Sequence, residues 1–377
     1  MPRVLFTLFL VIVSFISARV SAQSSSQNVR LSAVASTVEF PAYQPRFARA
    51  RPVVAVIGEN SFTELTDYVI PYAVLVESGV AEVIALATKP GPIQMFPALK
   101  IEPQATSAEF DARFPEGADY VVVPAVHNVE DPTLLTWVTT QAAKGATIIG
   151  VCDGAWVLGH AGLLKGRRAT GHWYSLGSRE KQFPETTWVS NQRYVSDGNV
   201  VTTTGVSASI PVALALVEAI AGHARAETVA KALGVADWGP THHSDAFRLS
   251  AKHIFTAASN WLSFWAHESV GAPVTQGTDE MVLALAVDAY SRTYRTTAFA
   301  VAQSQDAIRT KRGLKLLPDL VAGVSESPDR MLSLTEPSSE APSLDYILET
   351  IAQSYDRATA AFVALQLEHP GMKNFAP

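Results

Sequence analysis

The stretch TIIGVCDGAWVLGHAGLL, residues 147–164, decides how this chain folds. Thr147 to Val151 is a short, largely β-branched apolar run, and Ala155 to Leu164 has the small and apolar residues of a helix. Asp153-Gly154 makes the turn between them. Cys152, the one cysteine of the 377 residues, therefore falls at a strand-to-helix corner. Such a corner lifts a side chain off the sheet and aims it at the start of the following helix, the arrangement of a nucleophile elbow with cysteine in place of serine. A helix N-terminus favours the thiolate, so the position predicts a lowered thiol pKa. Gly150 and Gly154 flank the corner and suit its tight backbone. A lone cysteine is otherwise most often a small buried hydrophobe.

Working outward, Val53 to Ile57, Ala81 to Ala87 and Tyr120 to Val123 are further short apolar strands. Helical patterns over Leu65 to Ser78 and Pro132 to Lys144 separate them. Strand and helix alternate, which predicts an α/β fold with a parallel sheet sandwiched by helices. In such sheets the working groups gather at the C-terminal strand edges, where Cys152 sits. Val200 to Thr202 reads as another strand and Ile210 to Ala221 as a helix, and the chain turns polar over 237–244, placing a boundary near 240. Beyond it, 247–267 and 344–367 are amphipathic and read as helices. Between them, AFAVAQSQDAIRTKRGLKLLPD (298–319) aligns without gaps on VIALATKPGPIQMFPALKIEPQ (83–104), so residues 241–377 look like a mainly helical, incomplete second copy of the first domain. The copy carries no cysteine, which assigns the chemistry to the first.

The remaining segments are a leader over 1–22 and a Ser/Gln-rich, Pro-punctuated linker over 23–51, ahead of a domain at 52–240. The leader has Arg3, an apolar run from Val4 to Ile16 and a Val20-Ser21-Ala22 ending, the pattern of a cleaved secretory signal. A periplasmic or secreted protein with no membrane attachment after cleavage is the expectation. The net charge of −6 argues against nucleic-acid binding, which depends on neutralising phosphates. His242, His243 and His253 lack the spacing of metal ligands, so neither a metal nor a cofactor is expected.

Several segments together resemble the DJ-1/PfpI family of the class I glutamine amidotransferase-like superfamily. GVCDGAWVLGHAGLLKGRRATGHW (150–173) is similar to that family's elbow and following segment, most of all to its AraC-type regulator ligand domains and isocyanide-hydratase-like enzymes. TELTDYVIPYAVLVESG (63–79) resembles the family's first helix and sets Asp67, four residues before Pro71, near the cysteine. ATGHW (169–173) puts His172 beside the thiol, and VVTTTGVSASIPVALALVE (200–218) resembles the strand and helix closing the pocket, with Gly205 in it. The resemblance implies a flavodoxin-like fold over about 52–240. One departure stands out: where the family commonly has glycines whose N–H groups hold an oxyanion, VVVPAVHNVED (121–131) has Ala125 and Val126. His127 could supply a donor instead, and the Asp153 N–H and Gly154 lie just after the nucleophile.

Two classes of function follow. In the first, Cys152 attacks a small electrophile such as an aldehyde, amide or isocyanide, Asp67 moves the proton, His172 assists and the Asp153 N–H steadies negative charge, giving a cofactor-free hydrolase, hydratase or lyase. In the second, the same pocket only binds a small molecule or senses oxidants through the thiol. The expected partner is a small-molecule substrate or ligand, and a homodimer is compatible with either. A DNA-binding regulator is the weakest reading, because the acidic charge, the leader and the partial repeat all oppose it.

Overall fold

The computed structural model describes residues 40–334 and 343–375. The expected leader lies outside the described residues, as does part of the linker. Residues 40–51 lack helix and strand but are packed down: Phe40 is buried, the Tyr43 N–H donates to the Ala219 carbonyl at 2.9 Å, and Arg49 pairs with Asp119 at 2.9 Å.

In the first part of the chain the strands are β1 (Val53–Gly58), β2 (Thr63–Glu64), β3 (Glu82–Ala87), β4 (Ile93–Phe96), β5 (Lys100–Glu102), β6 (Ala105–Thr106), β7 (Tyr120–Val123), β8 (Thr147–Gly150), β9 (Arg168–Ala169), β10 (Thr187–Trp188), β11 (Tyr194–Asp197) and β12 (Val200–Thr203). The helices are α1 (Leu65–Ser78), α2 (Ser107–Arg113), α3 (Pro132–Ala143), α4 (Gly154–His160), α5 (Leu176–Gln182), α6 (Ser209–Ala221) and α7 (His223–Ala232). Among the described residues seven strands form the central sheet in the order β11-β12-β8-β7-β1-β3-β6, parallel except for the edge strand β11. Period-2 geometry divides the core. Val54 and Val56 of β1 face the layer holding α1 and α6, whereas Val53, Ala55 and Ile57 face the layer holding α2 to α4. This is the flavodoxin-like sandwich expected from the alternation of strand and helix.

The second part contains helices and also a sheet. It runs α8 (Ala251–Leu262), β13 (Glu268–Pro273), α9 (Glu280–Ser291), β14 (Thr296–Ala302), β15 (Ile308–Arg309), β16 (Lys315–Leu317), β17 (Leu320–Val321), β18 (Arg330–Met331), α10 (Leu344–Ser354) and α11 (Arg357–Gln366). The single helix expected over 344–367 is two, because Asp356 caps a new N-terminus through the Thr359 N–H at 2.6 Å. The offset between the two similar segments, 83 to 298, carries β1 onto β13, β5 onto β16 and β6 onto β17 without a residue of slip. The pairings repeat as well. β13 lies parallel to β14 and β18 as β1 lies parallel to β3 and β7, and β15 is antiparallel to β16 as β4 is to β5. Among the described residues no strand of the second part corresponds to β8 and none forms an elbow. All described residues belong to one compact unit.

Candidate functional site

Cys152 is placed by the end of β8. Its backbone is left-handed, with φ 57°, a region that costs a non-glycine residue about 1–2 kcal/mol. Its N–H donates to the Thr203 hydroxyl at 3.1 Å, tying the elbow to β12. Gly154 follows because a Cβ there would stand 2.1 Å from the Val123 carbonyl oxygen, so no other residue fits. Cys152 is buried, with 7 % of the residue exposed.

The helix beyond the elbow ends at His160, short of the expected Leu164, and its seven residues give the thiol little dipole support. Burial, followed by the charges of Asp67, Asp153 and Glu64, pushes the Cys152 thiol well above its ordinary range, opposed by the Asp153 N–H. The lowered thiol pKa expected from the elbow is thereby reversed. The Asp153 N–H is directed at the sulfur, and the Asp153 carboxylate receives Arg179 Nη1 at 2.9 Å.

Asp67 reaches the site from α1, a helix buried along nearly its whole length between the sheet and other helices. Pro71 has no N–H, so the Asp67 carbonyl receives no bond from the next helical turn. The carboxyl is fully buried. Oδ2 accepts the Ala125 N–H at 3.3 Å, and Oδ1 has no protein partner. Burial raises its pKa well above the usual carboxylate range, only partly offset by the Ala125 N–H and Arg292. The loop with Ala125 and Val126 therefore serves Asp67: one N–H holds the carboxyl, and the Ala125 carbonyl accepts the Glu64 N–H at 2.9 Å.

His172 and His127 stand differently. The His172 Nε2 lies 3.0 Å from the Gln366 carbonyl, which only accepts, so the ring proton is committed to the C-terminal helix. A Cβ on Gly205 would sit 2.7 Å from the His172 ring, so the two are in contact, and the Gly205 N–H donates to Glu368 Oε2 at 2.7 Å. His127 lies between the rings of Phe62 and Phe96, at 5.0 and 4.8 Å, and burial of the ring lowers its pKa. These tilted ring contacts seat His127 between two phenylalanines.

Sequence reasoning missed four groups. Arg179, fully buried, binds Asp153 and the His172 carbonyl, each at 2.9 Å; burial lowers its pKa against the pull of Asp153, Cys152 and Glu368. It lies in GSREKQ, which reads as a solvated face. Arg292, at the end of α9, holds Glu64 and Asp288 at 2.6 Å each, and these acids overcome burial to keep it charged. Glu368 and His242 pair at 3.0 Å, both buried. None has a local sequence signal, since each meets the site from a distant segment. A cavity of about 420 Å³ lies alongside, lined by Ile70, Val206, Ser207, Leu285 and His369 among others, and Cys152 is not in its wall. Among the described residues no cluster of His, Cys, Asp and Glu could hold a metal, and no helix is long and apolar enough to cross a membrane.

With the elbow, the buried carboxyl and the parallel sheet in place, the match of residues 53–219 to the DJ-1/PfpI family model is decisive. Residues 53–219 form a DJ-1/PfpI family domain. The DJ-1/PfpI domain is similar to an isonitrile hydratase from Pseudomonas putida, 37 % identical over 117 residues, covering 29 % of this chain and 49 % of that protein. It is also similar to the HTH-type transcriptional regulator CdhR of Pseudomonas aeruginosa, 36 % identical over 86 residues, 23 % of this chain and 25 % of the regulator. The chain thus spans half or less of the length of these curated relatives. Among solved structures, Drosophila melanogaster DJ-1beta is 24 % identical with a TM-score of 0.45, covering 50 % of this chain and 100 % of that one.

Proposed function

We propose that the DJ-1/PfpI domain is a cofactor-free, cysteine-dependent enzyme, a hydratase, hydrolase or lyase acting on a small electrophile such as an isonitrile, aldehyde or amide. The observation that supports it best is the juxtaposition of a thiol held in left-handed backbone with a fully buried carboxyl whose Oδ1 has no partner. A carboxyl whose proton affinity is raised toward that of a thiol is the better base for it. In this reading the ionised Asp67 takes the Cys152 proton as sulfur bonds to the electrophilic carbon, then returns that proton to the adduct. Water releases the product and restores the thiol. Similarity to the isonitrile hydratase lends weight to hydration among the three reaction types. We also propose export, on the leader pattern of residues 1–22; N-terminal sequencing of the exported fraction should begin near Gln23.

A second reading, a non-catalytic ligand-binding module, is favoured by one observation: the Ala125 and Gly205 N–H groups are already bonded to Asp67 and Glu368, which leaves fewer donors for an oxyanion. Purified protein incubated with small isonitriles, aldehydes and amides separates the two. The enzyme reading expects turnover that Cys152→Ser and Asp67→Asn each reduce at least ~100-fold. Saturable binding without turnover, insensitive to Cys152→Ser, selects the binding module.

A further inference from the structure

The cavity of about 420 Å³ is walled by both copies and by the end of the chain. Ile70 of α1, with Val206 and Ile210 from the entry to α6, comes from the first copy, and Leu285 of α9 from the second. Leu344 of α10 and Pro370, just after α11, complete the apolar lining. A close-packed interior leaves few voids larger than a water molecule, and this one has the size of a pocket for a small organic molecule. Its two other charged wall residues, Arg193 and Asp237, are matched to each other at 3.5 Å, which leaves no spare charge there for an ionic ligand.

One polar pair in the wall, His369 and Asp345, is incomplete. The His369 Nδ1 accepts the Gly371 N–H at 3.1 Å, so the neutral ring carries its proton on Nε2. Burial holds the His369 pKa down against the pull of Asp345, which keeps the ring neutral at pH 7. Nε2 lies 3.7 Å from Asp345 Oδ1, beyond hydrogen-bond length. Position 371 is glycine, and a Cβ there would stand 2.8 Å from His369 Cε1 and 3.1 Å from Asp345 Oδ1, so the missing side chain leaves space beside the pair. A donor and an acceptor at this separation are both satisfied by one hydroxyl, which accepts from the nitrogen and donates to the carboxylate. An ether or carbonyl serves only the histidine, an ammonium only the aspartate, and a carboxylate meets Asp345 as a like charge. We propose that this cavity binds a small, uncharged, largely apolar molecule through a hydroxyl group seated between His369 Nε2 and Asp345 Oδ1. Cys152 does not line the cavity, so the inference stands apart from the nucleophilic reading of the thiol.

Two probes that differ by a single hydroxyl, 2-naphthol and naphthalene, test the proposal when titrated into the full chain at pH 7 and followed by ligand-observed NMR. The wild type should bind 2-naphthol saturably and roughly tenfold or more tighter than naphthalene. Gly371→Ala puts a methyl group beside the His369–Asp345 pair and should bring the two affinities together. Ile210→Trp, at a half-buried position of the wall, fills the cavity and should abolish binding of both probes. Absence of saturable 2-naphthol binding, equal affinity of the wild type for the two probes, or retention of the preference by either variant overturns the proposal.

Discussion

Two residues set the terms at the elbow, Gly154 by its size and Asp67 by its proton. With the Val123 carbonyl oxygen 2.1 Å from any Cβ at position 154, Gly154→Ala forces the elbow apart and should cost about 3 kcal/mol, read as a lowered midpoint in urea. The stability consequences of Asp67 and Glu64 follow from the direction of their shifts. Both have folded pKa values raised by burial, so their stabilising contribution is complete below their unfolded values near 4 and is lost as pH rises through the raised folded values. Asp67→Asn keeps an acceptor for the Ala125 N–H and cannot ionise. It should therefore raise the melting temperature at pH 7 more than at pH 4, and an equal effect at both would show that Asp67 carries no such cost. A carboxyl that lowers stability at neutral pH beside a strained thiol is the trade expected of a reactive site.

The elements divide into those written locally and those that are not. Val53–Gly58, Tyr120–Val123 and Thr147–Gly150 were legible as strands because both sheet faces are covered, which demands continuous apolar runs. α1 was legible for the same reason, being apolar around most of its circumference. Cys152, Asp67, Gly154 and the Asp153 N–H could be placed from the elbow and from family resemblance. Glu368, His242, Arg179 and Arg292 could not, since their meaning depends on contacts made across the fold: Glu368 meets Gly205 from 163 residues away. The thiol pKa departs from the expectation at the elbow because helix dipole is a local property, while burial and the acids around the sulfur are tertiary ones. A further tertiary contact joins the copies through Arg312, which bonds Glu77 of α1 at 2.7 Å and Asp279, the cap of α9, at 3.0 Å, with Glu280 at 3.7 Å. Arg312→Ala strands the buried Glu280 and should destabilise by about 3–5 kcal/mol in chemical denaturation.

Across the whole molecule the two copies meet as equivalents. β16 pairs antiparallel with β5, matching Ile101 to Leu316, Lys100 to Leu317 and Glu102 to Lys315. Positions 101 and 316 correspond in the repeat, so the pairing is that of a local two-fold axis between unlike copies in one chain. The consequence for chemistry is asymmetric. The first copy holds the elbow, and the second supplies Asp288 and Arg292 to the acids behind it, with the Thr66 hydroxyl reaching Asp288 at 3.2 Å. The central claim is that this enclosure couples the Cys152 thiol to a carboxyl with raised proton affinity. The pH dependence of iodoacetamide labelling in wild type and Asp67→Asn tests it most directly. A wild-type midpoint above the free-cysteine value of about 8.5, falling when Asp67 is replaced, is the predicted result. A midpoint at or below that value, or the same midpoint in both proteins, would contradict the coupling.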